Sequence, residues 1–290
     1  MKILVTGREG QLARGLAENA AAHPELDLVF TSRAEADLSS SGSVAAAIAA
    51  VRPDLVVNAA AYTAVDKAEE EPALAFRINA EGAGEAAAAA REVGAAIIQV
   101  STDYVFDGEA DEPYDEGAPT NPLSVYGRSK LAGEEAVRAA NPHHLILRTA
   151  WVYSPFGRNF VKTMVTAARG RDVLTVVGDQ YGSPTSAPDL AQAILEIAWR
   201  RDALGRTYHL AGGGKASWFD LASEVMVHCR RLGVPAAEVQ PILTADWPTA
   251  AIRPRNSALD SSHFTHDFGF ALADWRESIG ATVERLASEA

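Results

Sequence analysis

Five short apolar runs alternate with helical patterns along the first half of the chain, and this alternation restricts the fold more than any other feature. The runs are rich in Val, Ile and Leu and cover residues 2–6, 27–31, 53–58, 95–100 and 144–149. Helical patterns lie between them, and they include one long predicted helix over residues 69–92. Strands that alternate with helices form a parallel sheet with helices on both faces. The sequence therefore predicts an α/β fold with a Rossmann-type, doubly wound parallel sheet.

A glycine turn joins the first predicted strand to the first predicted helix. Gly7 permits a tight turn, and Gly10 lets the backbone approach a pyrophosphate group, which the N-terminus of the helix attracts. Ala13 is small enough for the helix to pack close to the strand. The spacing G-x-x-G-x-x-A is common, so a purely structural turn is the alternative. Its position after the first strand predicts that the loop binds a dinucleotide.

The end of the second predicted strand indicates which dinucleotide is bound. A cofactor with a free ribose 2′-hydroxyl usually meets an acidic residue there, but the sequence is Thr31-Ser32-Arg33. Because a guanidinium matches the geometry of a phosphate, Arg33 favours NADPH over NADH, with an exposed loop arginine as the alternative. Small residues up to Ala61 follow the third strand, and they allow a flat cofactor to lie against the backbone.

Charge, hydropathy and cysteine content exclude several classes of protein. The 290 residues include 26 basic and 38 acidic ones, and a net charge of −12 argues against a nucleic-acid surface, which needs clustered Lys and Arg. No apolar run reaches the roughly 20 residues of a membrane span. Cys229 is the only cysteine, so we expect it in the core rather than in a disulfide or metal cluster. The first strand pattern begins at residue 2 and leaves no room for a signal peptide, so we expect a cytoplasmic protein.

The regular alternation ends after residue 149. Later elements are predicted helices at 159–168, 189–199 and 218–231, strands at 173–177 and 207–210, and a turn-rich loop at 180–185. We interpret residues 1–150 as an NAD(P)-binding Rossmann core to which segments after residue 170 return. We interpret residues 151–290 as mainly a smaller C-terminal substrate-binding lobe, because the core already holds the cofactor.

A tyrosine and a lysine mark the predicted chemistry. Pro122 and Ser124 read as the entry to a helix that ends near residue 140, and Tyr126 and Lys130 lie one turn apart on its face. A phenol has a pKa near ~10, which a neighbouring ammonium lowers, so such a tyrosine can exchange a proton with a substrate oxygen. A chance surface pair is the alternative. Thr102, at the end of the fourth strand, supplies a hydroxyl for the same oxygen, or merely caps the strand.

The chain resembles the extended short-chain dehydrogenase/reductase superfamily in four motifs and in their order along the sequence. They are Gly7 with Gly10, the run from Asn58 to Ala61, Ser101-Thr102, and Tyr126-x-x-x-Lys130. Longer stretches narrow the resemblance to the dTDP-4-dehydrorhamnose reductase family over essentially the whole chain, namely residues 63–69, 101–108, 126–134, 148–153, 179–185 and 253–260. The resemblance implies NAD(P)H-dependent reduction of the C4 keto group of dTDP-4-dehydro-L-rhamnose to dTDP-L-rhamnose.

The resemblance also implies roles for individual residues. Tyr126 would be the proton donor, Lys130 would hold the nicotinamide ribose and lower the pKa of Tyr126, and Thr102 would help to hold the carbonyl oxygen. The remaining implied cofactor contacts are Gly10, Gln11 and Leu12 at the pyrophosphate, Asp37 and Leu38 by the adenosine, and Ala61, Tyr62 and Thr63 along the cofactor. The implied substrate contacts are Thr102, Asp103, Tyr104 and Trp151. We assign Arg253 to the substrate diphosphate from its charge and position.

One position departs from the family. Its members often hold a magnesium ion at a dimer interface through glutamates, one of them on the first helix near residue 15. Gly15 occupies that position here, so the sequence predicts no bound metal and leaves both a monomer and a homodimer open.

Other activities on the same fold were also considered. A sister reductase of another dTDP-4-keto-6-deoxysugar would share these motifs. An epimerase or dehydratase would retain tightly bound NAD, which Arg33 and residues 101–106 disfavour. A catalytically silent regulatory subunit, of the kind found with methionine adenosyltransferase, is the third alternative. The presence of Thr102, Tyr126 and Lys130 argues against it.

Overall fold

A computed structural model describes residues 1–288 of the chain. The strands are β1 (Lys2–Thr6), β2 (Asp27–Thr31), β3 (Leu55–Asn58), β4 (Ala96–Thr102), β5 (His144–Thr149), β6 (Val152–Tyr153), β7 (Val173–Val177), β8 (Tyr181–Gly182), β9 (Thr185–Ser186), β10 (Arg206–His209), β11 (Ala216–Ser217) and β12 (Glu238–Ile242).

Helices alternate with these strands along the chain. They are α1 (Gln11–Asn19), α2 (Ser43–Val51), α3 (Val65–Glu70), α4 (Pro72–Phe76), α5 (Ala83–Glu92), α6 (Val125–Ala140), α7 (Phe160–Ala167), α8 (Ala187–Ile197), α9 (Trp218–Arg231), α10 (Ser262–Phe268) and α11 (Trp275–Ser288). A π-helical turn over Arg77–Gly82 joins α4 to α5, and short 3₁₀ turns occur elsewhere. Within residues 1–288, no helix combines the length and apolar character that crossing a bilayer requires.

The central sheet is parallel and has six strands in the order β10-β5-β4-β3-β1-β2. The side chains of β1 from Ile3 to Val5 are buried, as expected for a parallel strand that is covered on both faces. At the carboxyl edge of the sheet, Thr102 of β4 lies opposite Thr149 of β5. The predicted α/β fold with a doubly wound parallel sheet is confirmed.

The second half of the chain contributes to this sheet and its covering helices. β10 pairs with β5 at the sheet edge. α8 packs on α1 so closely that a Cβ added at Gly15 would lie 3.0 Å from the carbonyl oxygen of Ala187. Leu16 of α1 and Ile194 of α8 belong to one apolar cluster with the sheet. Close helix packing therefore explains the glycine in α1.

A second apolar core lies in the C-terminal half. It is built around the parallel pair β7 and β12, and α9 and α11 pack over it through Met226, Trp275 and Val283. Cys229 is fully buried in this cluster, which confirms its expected place in the core. The sequence patterns did not predict β12, α10 or α11.

The predicted long helix over residues 69–92 is wrong. The helical segment begins earlier, at Val65, and breaks at Glu71, whose φ of −121° and ψ of 49° lie outside the helical region. The cause is Pro72, since a proline disfavours helical geometry in the residue before it. Asn79 lies in the π-helical turn, and its side chain bonds both backbone groups of Tyr62, at 2.8 and 3.0 Å. Asn79 therefore holds the loop after β3 against this turn.

Candidate active site

A cleft of about 700 Å³ lies at the carboxyl edge of the central sheet. The predicted site residues that line it are Gly7, Gly10, Gln11, Leu12, Arg33, Ala61, Thr63, Thr102, Asp103, Tyr104, Tyr126, Lys130 and Trp151. Four predicted residues lie outside this lining, namely Asp37, Leu38, Tyr62 and Arg253. The sequence motifs thus converge on one elongated cleft.

The glycine loop lines the cleft. Gly7 has a φ of +77°, which favours glycine, and its carbonyl accepts a 2.7 Å hydrogen bond from the N–H of Gly10. A Cβ at Gly7 would lie 3.1 Å from the Cβ of Ala60, so β1 and β3 leave no room for a side chain there. Among residues 1–288, no side chain caps the N-terminus of α1. Its unpaired N–H groups and their partial positive charge fit a dinucleotide pyrophosphate.

Gln11 links this loop to the C-terminal half of the chain. Its Oε1 accepts hydrogen bonds from Ser154 Oγ at 2.7 Å and Asn159 Nδ2 at 3.0 Å. Its Nε2 donates to the carbonyl oxygen of Val152 at 3.4 Å. The side chain therefore fixes the segment after β6 beside the predicted pyrophosphate site. Gly157, Arg158 and Asn159 of this segment also line the cleft, although the sequence patterns did not indicate them.

Exposed ion pairs surround the predicted adenosine end. Arg33 Nε lies 3.3 Å from Asp37 Oδ2, and its side chain is 73% exposed. Arg8 also lines the cleft and pairs with Glu35 at 3.0 Å, a second cation that the sequence patterns missed. Hydrogen bonds from Ser39 are the main cause of the lowered pKa of Asp37. Two guanidinium groups thus lie at the end of the cleft that the sequence predicts to bind the adenosine.

Two predicted cofactor contacts, Leu38 and Tyr62, do not line the cleft. Leu38 is buried, and its backbone packs so closely on the π-helical turn that a Cβ at Gly82 would lie 2.7 Å from its carbonyl oxygen. The hydroxyl of Tyr62 donates to Glu71 Oε2 at 2.8 Å. Their predicted cofactor contacts stay predictions.

Helix α6 supplies the reacting groups. Ser124 caps it as predicted, since its Oγ accepts a hydrogen bond from the N–H of Gly127 at 3.1 Å. Gly127 and Gly133 bring the helix against neighbouring backbone, because a Cβ at either would lie 2.2 Å or less from a carbonyl oxygen. This close packing fixes Tyr126 and Lys130 in the cleft, one turn apart. Nζ of Lys130 donates to the carbonyl oxygen of Val100 at 2.7 Å.

The pKa of Tyr126 differs from the sequence expectation. Burial raises it to about 12, a hydrogen bond with Thr102 opposes the rise, and the charge of Asp103 adds to it. Burial lowers the pKa of Lys130 to about 8, with partial opposition from the charge of Glu134. The expected lowering by Lys130 is therefore wrong for this geometry, because desolvation dominates. At neutral pH Tyr126 is protonated, which is the form that a proton donor requires.

Thr102 and Asp103 form a short hydrogen-bonded unit beside Tyr126. Thr102 Oγ1 donates to Asp103 Oδ1 at 2.9 Å and accepts from the N–H of Tyr104 at 3.2 Å. Burial raises the pKa of Asp103 to about 6, against hydrogen bonds from Ser257 and Thr102. The ring of Tyr104 meets that of Tyr126 edge-on, with 5.6 Å between centroids. Three of the four implied substrate contacts thus adjoin the phenol.

A buried ion network joins Glu134 of α6 to β4 and β5. The carboxylate of Glu134 accepts from Arg148 Nε at 2.9 Å and Arg148 Nη2 at 2.8 Å, and from Ser101 Oγ at 2.6 Å. Burial acts to raise the pKa of Glu134, but hydrogen bonds and charge from Arg148 outweigh it and hold that pKa low. Ser101 therefore belongs to this network, and the contact of Thr102 with a substrate oxygen stays a prediction. Glu134 stands one turn after Lys130 and ends the family stretch 126–134, but the sequence patterns gave it no role.

Arg253 is engaged elsewhere. Its Nη2 and Nη1 pair with the two carboxylate oxygens of Asp66, at 2.7 and 2.9 Å. This ion pair fastens the segment around residue 253 to α3. The assignment of Arg253 to the substrate diphosphate stays a prediction, and it would require the guanidinium to exchange partners or to share them.

Position 15, which is predicted to lack the family's metal ligand, holds a glycine that the close packing of α8 requires. Gly15 lies under α8, so a side chain at this point would meet Ala187 rather than solvent. Within residues 1–288, no three His, Cys, Asp or Glu side chains cluster as metal ligands do. The residues present do not fit the magnesium site, and we derive no step through a metal.

Known proteins resemble this chain along its length. The family model described as RmlD substrate binding domain matches residues 1–288. A dTDP-4-dehydrorhamnose reductase of Sinorhizobium fredii is 45% identical over 294 residues, which cover 100% of this chain and 99% of that protein. The one of Salmonella typhimurium is 42% identical over 296 residues, covering 100% and 98%.

Solved structures give the same result. A crystal structure of a dTDP-4-dehydrorhamnose reductase from Clostridium acetobutylicum has a TM-score of 0.92 at 41% identity and covers 99% of this chain and 100% of its own. The Bacillus anthracis reductase in complex with NADP has a TM-score of 0.90 at 35% identity, with 100% and 99% covered. The motifs, the cleft and these full-length matches agree, and the chain belongs to the dTDP-4-dehydrorhamnose reductase family.

Proposed function

We propose that this protein uses NADPH to reduce the C4 keto group of dTDP-4-dehydro-L-rhamnose, which gives dTDP-L-rhamnose. The observation that carries the proposal is that Thr102, Tyr126 and Lys130 line the same cleft as the glycine loop. Family membership supplies the substrate, and the geometry supplies the acid and its cofactor site. NADH is the alternative cofactor.

The chain's own residues hold the cofactor along the cleft. The N–H groups at the start of α1 would bind the pyrophosphate, and Arg33 and Arg8, which line the cleft, would bind the 2′-phosphate. Lys130, fixed by the carbonyl of Val100, is placed to bind the nicotinamide ribose. When bound, NADPH supplies the hydride for C4.

Tyr126 completes the reduction by proton transfer. It donates its phenolic proton to the C4 oxygen, which becomes a hydroxyl group as the carbonyl is reduced. Thr102 donates a hydrogen bond to the same oxygen and so stabilises the developing negative charge. The hydrogen bond that Oγ1 accepts from the N–H of Tyr104 holds the Thr102 side chain in place. Its O–H, which donates to Asp103 in the free protein, turns to the substrate oxygen. The raised pKa of Tyr126 keeps the proton in place until the oxygen becomes basic.

Loss of NADPH absorbance with dTDP-4-dehydro-L-rhamnose, generated in situ, tests the proposal. We expect consumption of NADPH and formation of dTDP-L-rhamnose, with slower turnover in a parallel NADH reaction. Consumption with another dTDP-4-keto-6-deoxysugar alone would identify a sister reductase. NADPH binding in calorimetry without turnover of either sugar would indicate a regulatory subunit instead.

The cytoplasmic location and the choice between monomer and homodimer stay predictions. Cell fractionation would check the location, and light scattering would check the oligomeric state.

A further inference from the structure

Two tryptophans from different halves of the chain meet at the reacting end of the cleft. Trp151 follows β5, and Trp218 is the first residue of α9 in the C-terminal half. Both line the cleft. Their rings are stacked, with 3.4 Å between centroids and 2° between planes. The resemblance to the family implied a substrate contact for Trp151, but neither it nor the sequence patterns gave Trp218 a role.

The position of Trp151 places this stack beside the reacting groups. Thr149 lies opposite Thr102 in the register of β4 and β5. Trp151 follows two residues later, which corresponds to roughly 7 Å of extended chain. Thr102 accepts a hydrogen bond from the N–H of Tyr104, whose ring meets that of Tyr126 edge-on. The stack therefore forms part of the wall beside the place where the keto-sugar must lie for Tyr126 to reach its C4 oxygen.

The backbone conformation of Trp151 and its contact with Gly182 hold the indole in one orientation. Its φ of +47° is in the left-handed region, a conformation that costs about 1–3 kcal/mol in non-glycine residues and persists only where the surroundings enforce it. Its indole packs directly on the backbone at Gly182, where an added Cβ would lie 2.3–2.8 Å from three ring atoms. Only a glycine at position 182 leaves room for the indole in this place.

Trp218 supplies the second constraint on that indole. Its backbone is fixed because Ser217 caps α9 in a reciprocal capping box with Asp220, through hydrogen bonds of 3.0 and 2.8 Å. Phe160 of α7 supports the ring of Trp218, with 4.7 Å between centroids and a tilt of 46°. The indole of Trp151 thus cannot tilt away from Gly182 without displacing a ring that is itself supported.

We propose that Trp218 is a substrate-positioning residue, which holds the indole of Trp151 against the sugar ring of the nucleotide-sugar substrate. The proposal rests on the proposed function and extends it to a residue in the C-terminal half. The rigid aromatic wall fixes the sugar ring relative to Tyr126, as the few oriented groups of a mostly apolar pocket do for other ligands. The ring of Trp218 contacts those of Trp151 and Phe160. Neither is a predicted cofactor contact, so we expect the loss of Trp218 to affect substrate binding more than cofactor binding.

Steady-state kinetics of Trp218→Ala test this role. We expect the KM for the dTDP-keto-sugar to rise about tenfold, given that aromatic pairs contribute about 0.5–1.5 kcal/mol beyond their buried area. The KM for NADPH should change less than twofold. Trp218→Phe keeps a ring on Trp151 and should restore the sugar KM to within about threefold of wild type. Trp199→Ala is the matched control, since this tryptophan is 51% exposed and lies outside the cleft lining.

Several outcomes would overturn the role. They are an unchanged or lower sugar KM in Trp218→Ala, an equal rise in the KM for NADPH, or a Phe variant no better than the Ala variant. Thermal unfolding of each variant shows whether it folds, and Trp218→Leu replaces the Ala variant in the same comparison if that variant does not. Gly182→Ala acts on Trp151 independently and should raise the sugar KM as well.

Calorimetric titration with dTDP-L-rhamnose separates this inference from the proposed function. Binding by the wild type without turnover of the keto-sugar would overturn the proposed function. The ratio of Kd values for wild type and Trp218→Ala would then still decide the role of Trp218, because a ratio near one would sink it. If the wild type bound no dTDP-sugar at all, both proposals would be wrong.

Discussion

The two ends of the cleft hold their charged groups in different ways. At the reacting end, Lys130, Glu134 and Arg148 are almost fully buried and bonded to backbone or to one another at 2.7–2.9 Å. At the adenosine end, Arg33 and Arg8 form ion pairs with carboxylates while their side chains are 73% and 46% exposed. The same types of residue thus work in two different dielectric environments.

This difference in burial separates the groups proposed for proton transfer from those proposed to select the cofactor. Buried charges shift pKa values and resist movement, since each needs its partners to offset desolvation. Exposed ion pairs are worth about 0–1 kcal/mol, so Arg33 can leave Asp37 for a phosphate at little cost. The buried end keeps one geometry for proton transfer, and the exposed end adapts to the cofactor that arrives.

The largest effect should come from removing the proton donor at the buried end. We expect Tyr126→Phe to reduce turnover by about 10²–10⁴-fold, because general acid catalysis contributes that much, while NADPH binding in calorimetry stays close to wild type. Tyr208→Phe is the control, since that hydroxyl bonds Asp267 far from the cleft. Turnover of Tyr126→Phe within a fewfold of wild type would exclude Tyr126 as the acid.

Urea unfolding can test the contrast in stability directly. We expect Arg148→Met to lower the free energy of unfolding by about 3–5 kcal/mol, because Glu134 would be left as a buried charge without its main partner. Arg33→Ala should change it by less than about 1 kcal/mol. The double variant Arg148→Met, Glu134→Leu should recover part of the loss. Equal losses for Arg148→Met and Arg33→Ala would contradict the comparison between the two ends.

The pH dependence of the reaction should reflect the desolvated lysine. The pKa of Lys130 is lowered to about 8, so its charge is present below that pH and is lost above it, while Tyr126, with a pKa of about 12, remains protonated. We expect kcat/KM for NADPH to fall up to about tenfold per pH unit above pH 8. Lys130→Met should show lower activity, and its kcat/KM should not fall above pH 8. If the kcat/KM of Lys130→Met still fell above pH 8, the titrating group would be a residue other than Lys130.

The smallest effect should appear at the exposed end. Arg33→Ala should raise the KM for NADPH by roughly tenfold, in line with about 1.5 kcal/mol for a hydrogen bond to a charged group, and change the KM for NADH by less than twofold. Arg171→Ala, an exposed arginine outside the cleft lining, serves as the control. An equal effect on both cofactors would show that Arg33 does not read the 2′-phosphate, and Arg8 would be tested next.

The sequence by itself determined the parts of this protein that depend on local periodicity. Apolar runs such as residues 2–6 and 144–149 became buried parallel strands, and the Gly7 turn and the Ser124 cap formed where the residue types required them. Tyr126 and Lys130 share a helix face because their spacing of four is close to one turn. The motifs that directly follow β1, β3 and β4 located part of the cleft, because the carboxyl ends of parallel strands lie at one edge of the sheet.

The tertiary structure alone decided which side chains meet across elements. The bonds of Glu134 to Arg148, Gln11 to Ser154 and Arg253 to Asp66 each join residues 14 or more positions apart in the chain, and the stack of Trp218 on Trp151 spans the two halves. The pKa of Tyr126 also follows from burial rather than from its neighbour four residues on. Periodicity specifies which face of an element turns inward, but desolvation and contact depend on what packs against that face, and only the folded chain sets that.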